Sequence, residues 1–259
     1  INELIVYGSD QSEKRRAIEE SIATNYGVTL ASFSRDGFVR TWYDQSVTDQ
    51  GGSTATGNHA VQDTPGSQPK IVESGSLILQ NGDATIKFDG TDDSFSPVTI
   101  SSSSFPVSVI SLSSPAVTNS TMGIYGIAAQ SGGFYKSTAL FSMFAGSRLD
   151  SSVSAVAGND FIRTDIFNGS SSSLSVNGTE TTGTIGTGTT SLTKFEVGNS
   201  TQSGNNVLNG SIKEIILYTT DQTANRGAFE ANIAEHYGIS GVPAEDNQVN
   251  GFVETWYDQ

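Results

Sequence analysis

GSIKEIILYTTDQTANRGAFEANIAEHYGI, residues 210–239, reads as a strand, a turn and an amphipathic helix. The run 210–218 is rich in β-branched and aromatic residues, the composition of a strand. Phe229, Ile233 and Tyr237 recur at intervals of four, which is one face of a helix. Gly238 then stands where a left-handed C-cap belongs. A near copy opens the chain. ELIVYGSDQSEKRRAIEESIATNYGV, residues 3–28, aligns without gaps on residues 214–239. Tyr7 matches Tyr218, Asp10-Gln11 matches Asp221-Gln222, and Arg15 matches Arg226. Glu19, Ile22, Tyr26 and Gly27 match Glu230, Ile233, Tyr237 and Gly238. The turn Gly8-Ser9-Asp10 offers an N-cap for a helix of about four turns, with Ile18, Ile22 and Tyr26 on its apolar face.

A second block follows each copy. GFVRTWYDQ, residues 37–45, recurs as GFVETWYDQ, residues 251–259, and the two differ only where Arg40 meets Glu254. Trp42, Tyr43, Asp44 and Gln45 thus return as Trp256, Tyr257, Asp258 and Gln259. The period, roughly 212 residues, is far above the 20–50 of a solenoid unit and is the size of a whole domain. Beads on a string are expected. Residues 1–34 would be the closing strand and helix of a preceding repeat plus a linker. Residues 35–240 would be a complete domain. Residues 241–259 would be a linker and the first strand of a following repeat. On this reading the chain is a fragment of a longer polypeptide. Duplication that lets one chain lend its end to a neighbour is the alternative. The linkers, 29–36 and 240–250, are short, and Pro243 stiffens the second.

Composition limits the partners. Among 259 residues only 15% are charged, and the net charge is −14. Such a field repels nucleic acid and anionic lipid and attracts divalent cations. No apolar run is long enough to span a membrane as a helix. Ser, Thr, Gly and Asn take the surface positions that Glu and Lys fill on helical proteins. There are no cysteines, so nothing depends on disulfides.

Strand signals fill the interval between the copies: 38–43, 70–72, 76–79, 85–88, 105–112, 124–127, 139–144, 165–167, 174–176, 194–198 and 210–218. Residues 105–112 have the makeup of a central core strand. Asn168-Gly169 and Asn177-Gly178 are hairpin-turn signals. The Ser/Gly/Thr-rich stretch 168–193 reads as hairpins with small polar faces, because Leu174, Val176 and Ile185 interrupt it. The fold class expected is mainly β: an antiparallel β-sandwich (jelly roll) with one amphipathic helix after the closing strand of each repeat.

The strand ending in Trp42-Tyr43-Asp44-Gln45-Ser46 is followed by Gly57-Asn58-His59-Ala60, by 68–72 (QPKIV) and by 87–93 (KFDGTDD). With 210–218 and the helix that ends in Ile-Ala-Glu-His-Tyr, this resembles the concanavalin A-like (laminin G-like) jelly-roll domains of phage and viral structural proteins. It is more distantly similar to arabinofuranosidase catalytic sandwiches. The resemblance covers most of 37–239 and implies a fold, not an activity. The catalytic motifs of arabinofuranosidases match no positions here, so no catalytic residue is carried over and the chain is expected not to be an enzyme. A glycosidase-like domain is the third-ranked alternative.

Asp89, Asp92 and Asp93 crowd one turn after a strand. That oxygen-rich set suits calcium; a solvated turn in which Asp supports its own backbone is the competing reading. Asn159-Asp160 is a weaker second candidate. No cofactor is required. Tyr125 and Tyr135 are candidates for stacking a sugar ring. Trp42-Tyr43 sit in an apolar strand and read as core or interdomain packing, and Asp44 and Asp258 as turn aspartates. His59 and His236 offer little, since Asn25 replaces His236 in the other copy. The function expected is that of a structural tandem-repeat module in a long fibre or appendage, on a virion or at an extracellular or cell surface. Its partners would be neighbouring repeats and other copies of the fibre, with a cell-surface glycan as a further contact. A carbohydrate-binding adhesin module is the alternative.

Overall fold

The alternating runs between residues 37 and 218 fold into two facing antiparallel sheets. The computed structural model describes residues 5, 8–9, 14–29, 35–46, 57–127, 131–186, 191–200 and 206–244. The longer strands are β1 (Ile86–Asp89), β2 (Phe95–Ser104), β3 (Val107–Pro115), β4 (Met122–Ile127), β5 (Ser131–Tyr135) and β6 (Leu140–Ala145). They continue with β7 (Arg148–Ser154), β8 (Phe161–Phe167), β9 (Ser172–Val176), β10 (Thr179–Gly183), β11 (Ser191–Val197) and β12 (Asn209–Tyr218). The first sheet runs Gly37–Phe38, Lys70–Glu73, β1, β12, β3, β8, β9, β10. The second runs β7, β6, β5, β4, β11, β2, Ala60–Val61, Thr41–Trp42. The chain passes back and forth between the sheets, the path of a jelly roll.

Period-two alternation sorts the side chains. In β3, Val107 and Val109 face the other sheet, while Ile110 and Leu112 face outward. The space between the sheets holds Phe88, Phe95, Ile124, Phe141, Phe167 and Leu174, all buried. A second apolar cluster lies on the outer face of the first sheet. There Ile110, Leu112 and Ile162 meet Ile233 and Ala234 of helix α2 (Arg226–Tyr237). Both faces of this sheet are therefore apolar, which explains why β3 is buried along its whole length. Ile239 and Val242 pack on the same outer cluster. In β12 one extra residue, Lys213, falls between the pairs Ser113–Ile212 and Leu112–Glu214. That bulge keeps Ile212 and Ile215 both on the inner side.

Several expected elements shift. Residues 38–43 are not one strand: Gly37–Phe38 pairs with Lys70–Glu73 in the first sheet, and Thr41–Trp42 pairs with Ala60–Val61 in the second. The chain turns at Val39-Arg40 to bridge the two layers. Asn177-Gly178 forms the expected tight turn, with φ of 47° and 80°. Asn168-Gly169 instead begins a longer connection through the 3-10 turn Gly169–Ser171. The helices start a turn later than expected. Asp221 Oδ1 accepts from Thr223 N at 2.8 Å, a local Asx turn. The 3-10 turn Thr223–Asn225 follows, and only then α2. Helix α1 (Arg15–Tyr26) likewise begins after Lys14. Gly27 and Gly238 are the left-handed caps, each at φ 64°. Among the described residues no helix is long and apolar enough to cross a membrane. Trp256, Tyr257, Asp258 and Gln259 lie outside the described residues.

Candidate functional site

The two repeated blocks meet in space. A cleft of about 810 Å³ opens between the motif Trp42–Gln45, the stretch of β12 from Lys213 onward, and the Asn232–Tyr237 end of α2. Val98, Phe195 and Val197 of the second sheet form part of its wall. Pairing of β1 with β12 stops at Ile86–Ile212, and the gap beyond it opens this side of the sandwich. The alternation of the motif divides its two aromatics. Trp42 is half-buried and lies 6.0 Å from the Phe95 ring. Tyr43 is 52% exposed and meets the His59 ring edge-on at 5.1 Å.

Asp44 is a turn aspartate. Its Oδ1 accepts from Ser46 N at 2.9 Å and Ser46 Oγ at 2.6 Å, and its Oδ2 accepts from Asn58 N at 3.1 Å. Asp44 N donates to His59 Nδ1 at 3.0 Å. Burial works against the charge, but these hydrogen bonds outweigh it and hold the carboxyl below its ordinary range. A carboxylate held charged in this way is no proton donor at neutral pH. Gln45 Nε2 donates to the Tyr43 carbonyl at 3.1 Å.

At the far end of the cleft Lys213 is nearly buried. Its Nζ lies 2.8 Å from Asp160 Oδ2 and 3.1 Å from Asp83 Oδ2, and 5.3 Å from the centre of the Tyr237 ring. The cation beside Asp160 is therefore a lysine of this chain, placed there by the β12 bulge. His236 is exposed on α2 and stacks edge-on against Tyr237.

Asp89, Asp92 and Asp93 offer oxygens within 4.8 Å of one another. Asp89 and Asp92 are exposed and Asp93 is buried. The turn also supports itself. Asp89 Oδ1 accepts from Thr91 N at 2.7 Å and Asp92 N at 3.3 Å. Asp92 Oδ2 accepts from Ser67 Oγ at 3.0 Å, and Asp93 Oδ2 accepts from Asp89 N at 3.0 Å. Burial, with the Asp89 charge adding to it, pushes the Asp93 carboxyl up to about 6. Three carboxylates fit a hard cation such as calcium, which takes 6–8 oxygens, so carbonyls or water would complete the shell. A proton on Asp93 relieves the same crowding.

Tyr125 and Tyr135 do not serve as sugar platforms. Both lie between the sheets, 0% and 1% exposed, and present no ring face to solvent. Tyr125 stacks on Phe195 at 5.7 Å and donates its hydroxyl to Asp165 Oδ2. Tyr135 packs on Phe141 and shares a hydrogen bond of 2.9 Å with Ser113. Arg163 joins the first of these groups: its Nε donates to Asp165 Oδ2 at 2.7 Å and its Nη1 to the Phe134 carbonyl at 3.0 Å. The sequence carried a signal for this core network. In FIRTDIF, Arg163 and Asp165 share a face with Phe161 and Phe167. Gly133 makes room for it, since a Cβ there would lie 2.5 Å from Tyr125 Cε1 and 2.8 Å from Asp165 Oδ2.

No family model matches this sequence, and no curated protein matches it. Solved structures with a similar fold include a Trypanosoma rangeli sialidase in complex with the inhibitor DANA, at 12% identity and a TM-score of 0.46. The match covers 64% of this chain and 30% of the sialidase, so this chain spans less than a third of that enzyme's length. A native heptameric SAP-like pentraxin from Limulus polyphemus matches at 13% identity and a TM-score of 0.42, over 57% of this chain and 82% of the pentraxin.

Proposed function

We propose that the chain is a structural module of a tandem-repeat fibre or appendage, on a virion or an extracellular surface, built from concanavalin A-like sandwiches that act as beads. One observation carries the reading. A single sandwich is opened by the block 37–45, which bridges both sheets, and closed by the strand and helix of 210–239, and each of these blocks occurs once more in the sequence. A sandwich needs one opener and one closer. The extra pair is what neighbouring beads of the same kind would require. Abundant Ser and Thr with a net charge of −14 suit a long exposed surface, because net charge far from zero opposes non-specific association. A two-sandwich protein, made by placing residues 35–213 ahead of residues 3–259, tests this by small-angle scattering. The expected particle is elongated, with two bodies at a fixed separation. A single compact body, or a sandwich joined to an unfolded chain, would contradict it.

The cleft favours a second reading, a neutral glycan held beside Trp42 and the exposed Tyr43. Aromatic faces and neighbouring amides such as Gln45 and Asn58 are suited to sugar rings. Glycan-array binding that is lost in Tyr43→Ala, with an unchanged melting point, would support it; no binding to any glycan would remove it.

A further inference from the structure

The two helices agree with each other only on one side. Aligned without gaps, RRAIEESIATNY and RGAFEANIAEHY share Glu19 with Glu230, Ile22 with Ile233, Ala23 with Ala234 and Tyr26 with Tyr237. In α2 these are the residues that meet the sandwich. Glu230, Ile233 and Ala234 are buried, and Tyr237 packs on the same apolar cluster. The exposed positions of α2, Gly227, Asn232, Glu235 and His236, all differ in the other copy. General amphipathicity would preserve apolar character, not identity. It would also not preserve a glutamate. Glu230 is 2% exposed, its carboxyl raised by burial, with the Thr164 and Ser175 side chains of the first sheet opposing that shift and Arg226 Nε 3.8 Å from its Oε1. A buried carboxylate needs such a prepared seat. Its recurrence as Glu19 marks the same seat.

Among the described residues of α1, Ala23 is buried, yet none belongs to either apolar cluster of this sandwich. We infer that α1 is a docking helix whose partner is the outer face of the first sheet of a second copy of this sandwich, the face made by Ile110, Leu112, Ile162, Thr164 and Ser175. The inference rests on the tandem-bead reading and names the contact that joins the beads. In the isolated chain that seat is held by α2. Helix α1 of another molecule therefore competes for it, and weakening α2 shifts the balance toward exchange between copies.

Sedimentation velocity on the full-length chain tests this. The wild type is expected to stay monomeric at concentrations where Ile233→Ala forms dimers, with a dimer fraction at least three-fold higher. Ile22→Ala added to Ile233→Ala is expected to return the protein to monomer. If Ile233→Ala does not fold, judged by its β-sheet circular dichroism, Ile233→Val removes less of the same buried contact and takes its place. A weakened-seat variant that stays monomeric at every concentration, or dimers that persist with Ile22→Ala, would overturn the inference. Either result leaves the scattering test of the two-sandwich protein untouched, so the bead reading would stand or fall separately.

Discussion

Arg163 Nε lies 2.7 Å from Asp165 Oδ2, and neither side chain reaches solvent. The pair sits between the sheets, in a chain of which only 15% of residues are charged. Arg163 also donates to the carbonyls of Phe134 and Ser142, so the guanidinium ties the first sheet to β5 and β6 of the second. Burial raises the Asp165 carboxyl, while Arg163 opposes that shift. The network fixes how the two layers face each other.

Removing one partner should therefore be costly, and removing all of them much less so. Arg163→Met alone is expected to lower stability by about 3–5 kcal/mol, because Asp165 is left buried without its cation. Arg163→Met combined with Asp165→Leu and Tyr125→Phe should recover most of that loss. Urea midpoints of the single and triple variants check this. Equal losses in both would show that the charges themselves contribute little.

Asp93 sets a pH dependence with a definite sign. Its carboxyl is raised to about 6 in the fold, against an ordinary value of 3.8. A raised acid stabilises the fold below its unfolded value, and that contribution is lost as the pH climbs through about 6. Asp93→Asn should accordingly stabilise the protein at pH 8, by up to about 3 kcal/mol, with the gain fading toward pH 4. Thermal melts of both proteins across this range measure it. A melting point that rises with millimolar calcium at pH 8, and no longer does so in Asp92→Asn, would show that the cluster takes an ion instead.

Asp44 should behave in the opposite sense. Its carboxyl is lowered in the fold, so its contribution is present above the unfolded value and lost as the pH falls through the folded one. Asp44→Asn is expected to lose about 1–2 kcal/mol at pH 7 through weaker bonds to Ser46 and Asn58. The difference from wild type should shrink below pH 4. A constant difference at all pH values would point to packing rather than charge.

Strand β1 was legible from period-two patterning: Ile86 and Phe88 are buried while Lys87 and Asp89 are exposed, as alternation requires. The central strand around 107–112 was legible from its unbroken apolar and small residues, and the helix ends from Gly27 and Gly238. Motif strand 37–45 was misread because nothing local marks its passage from one sheet to the other; its partners, Lys70–Glu73 and Ala60–Val61, lie far along the chain. Tyr125 and Tyr135 were misplaced for a related reason. A tyrosine signals an apolar ring with a polar tip, and only the opposite sheet supplies Asp165 and Ser113 to satisfy those tips inside the core. The seat of α2 was half legible. Apolar spacing revealed the face, while the buried glutamate within it needed Thr164 and Ser175 to make sense.

Hydrogen exchange on the two-sandwich protein tests the central claim most directly. With residues 35–213 placed ahead of residue 3, residues 3–28 become the closing strand and helix of a complete preceding sandwich. The backbone amides of 15–26 should then be protected to the same degree as those of 226–237. Amides of 15–26 that exchange no more slowly than in the single-sandwich chain would contradict the account.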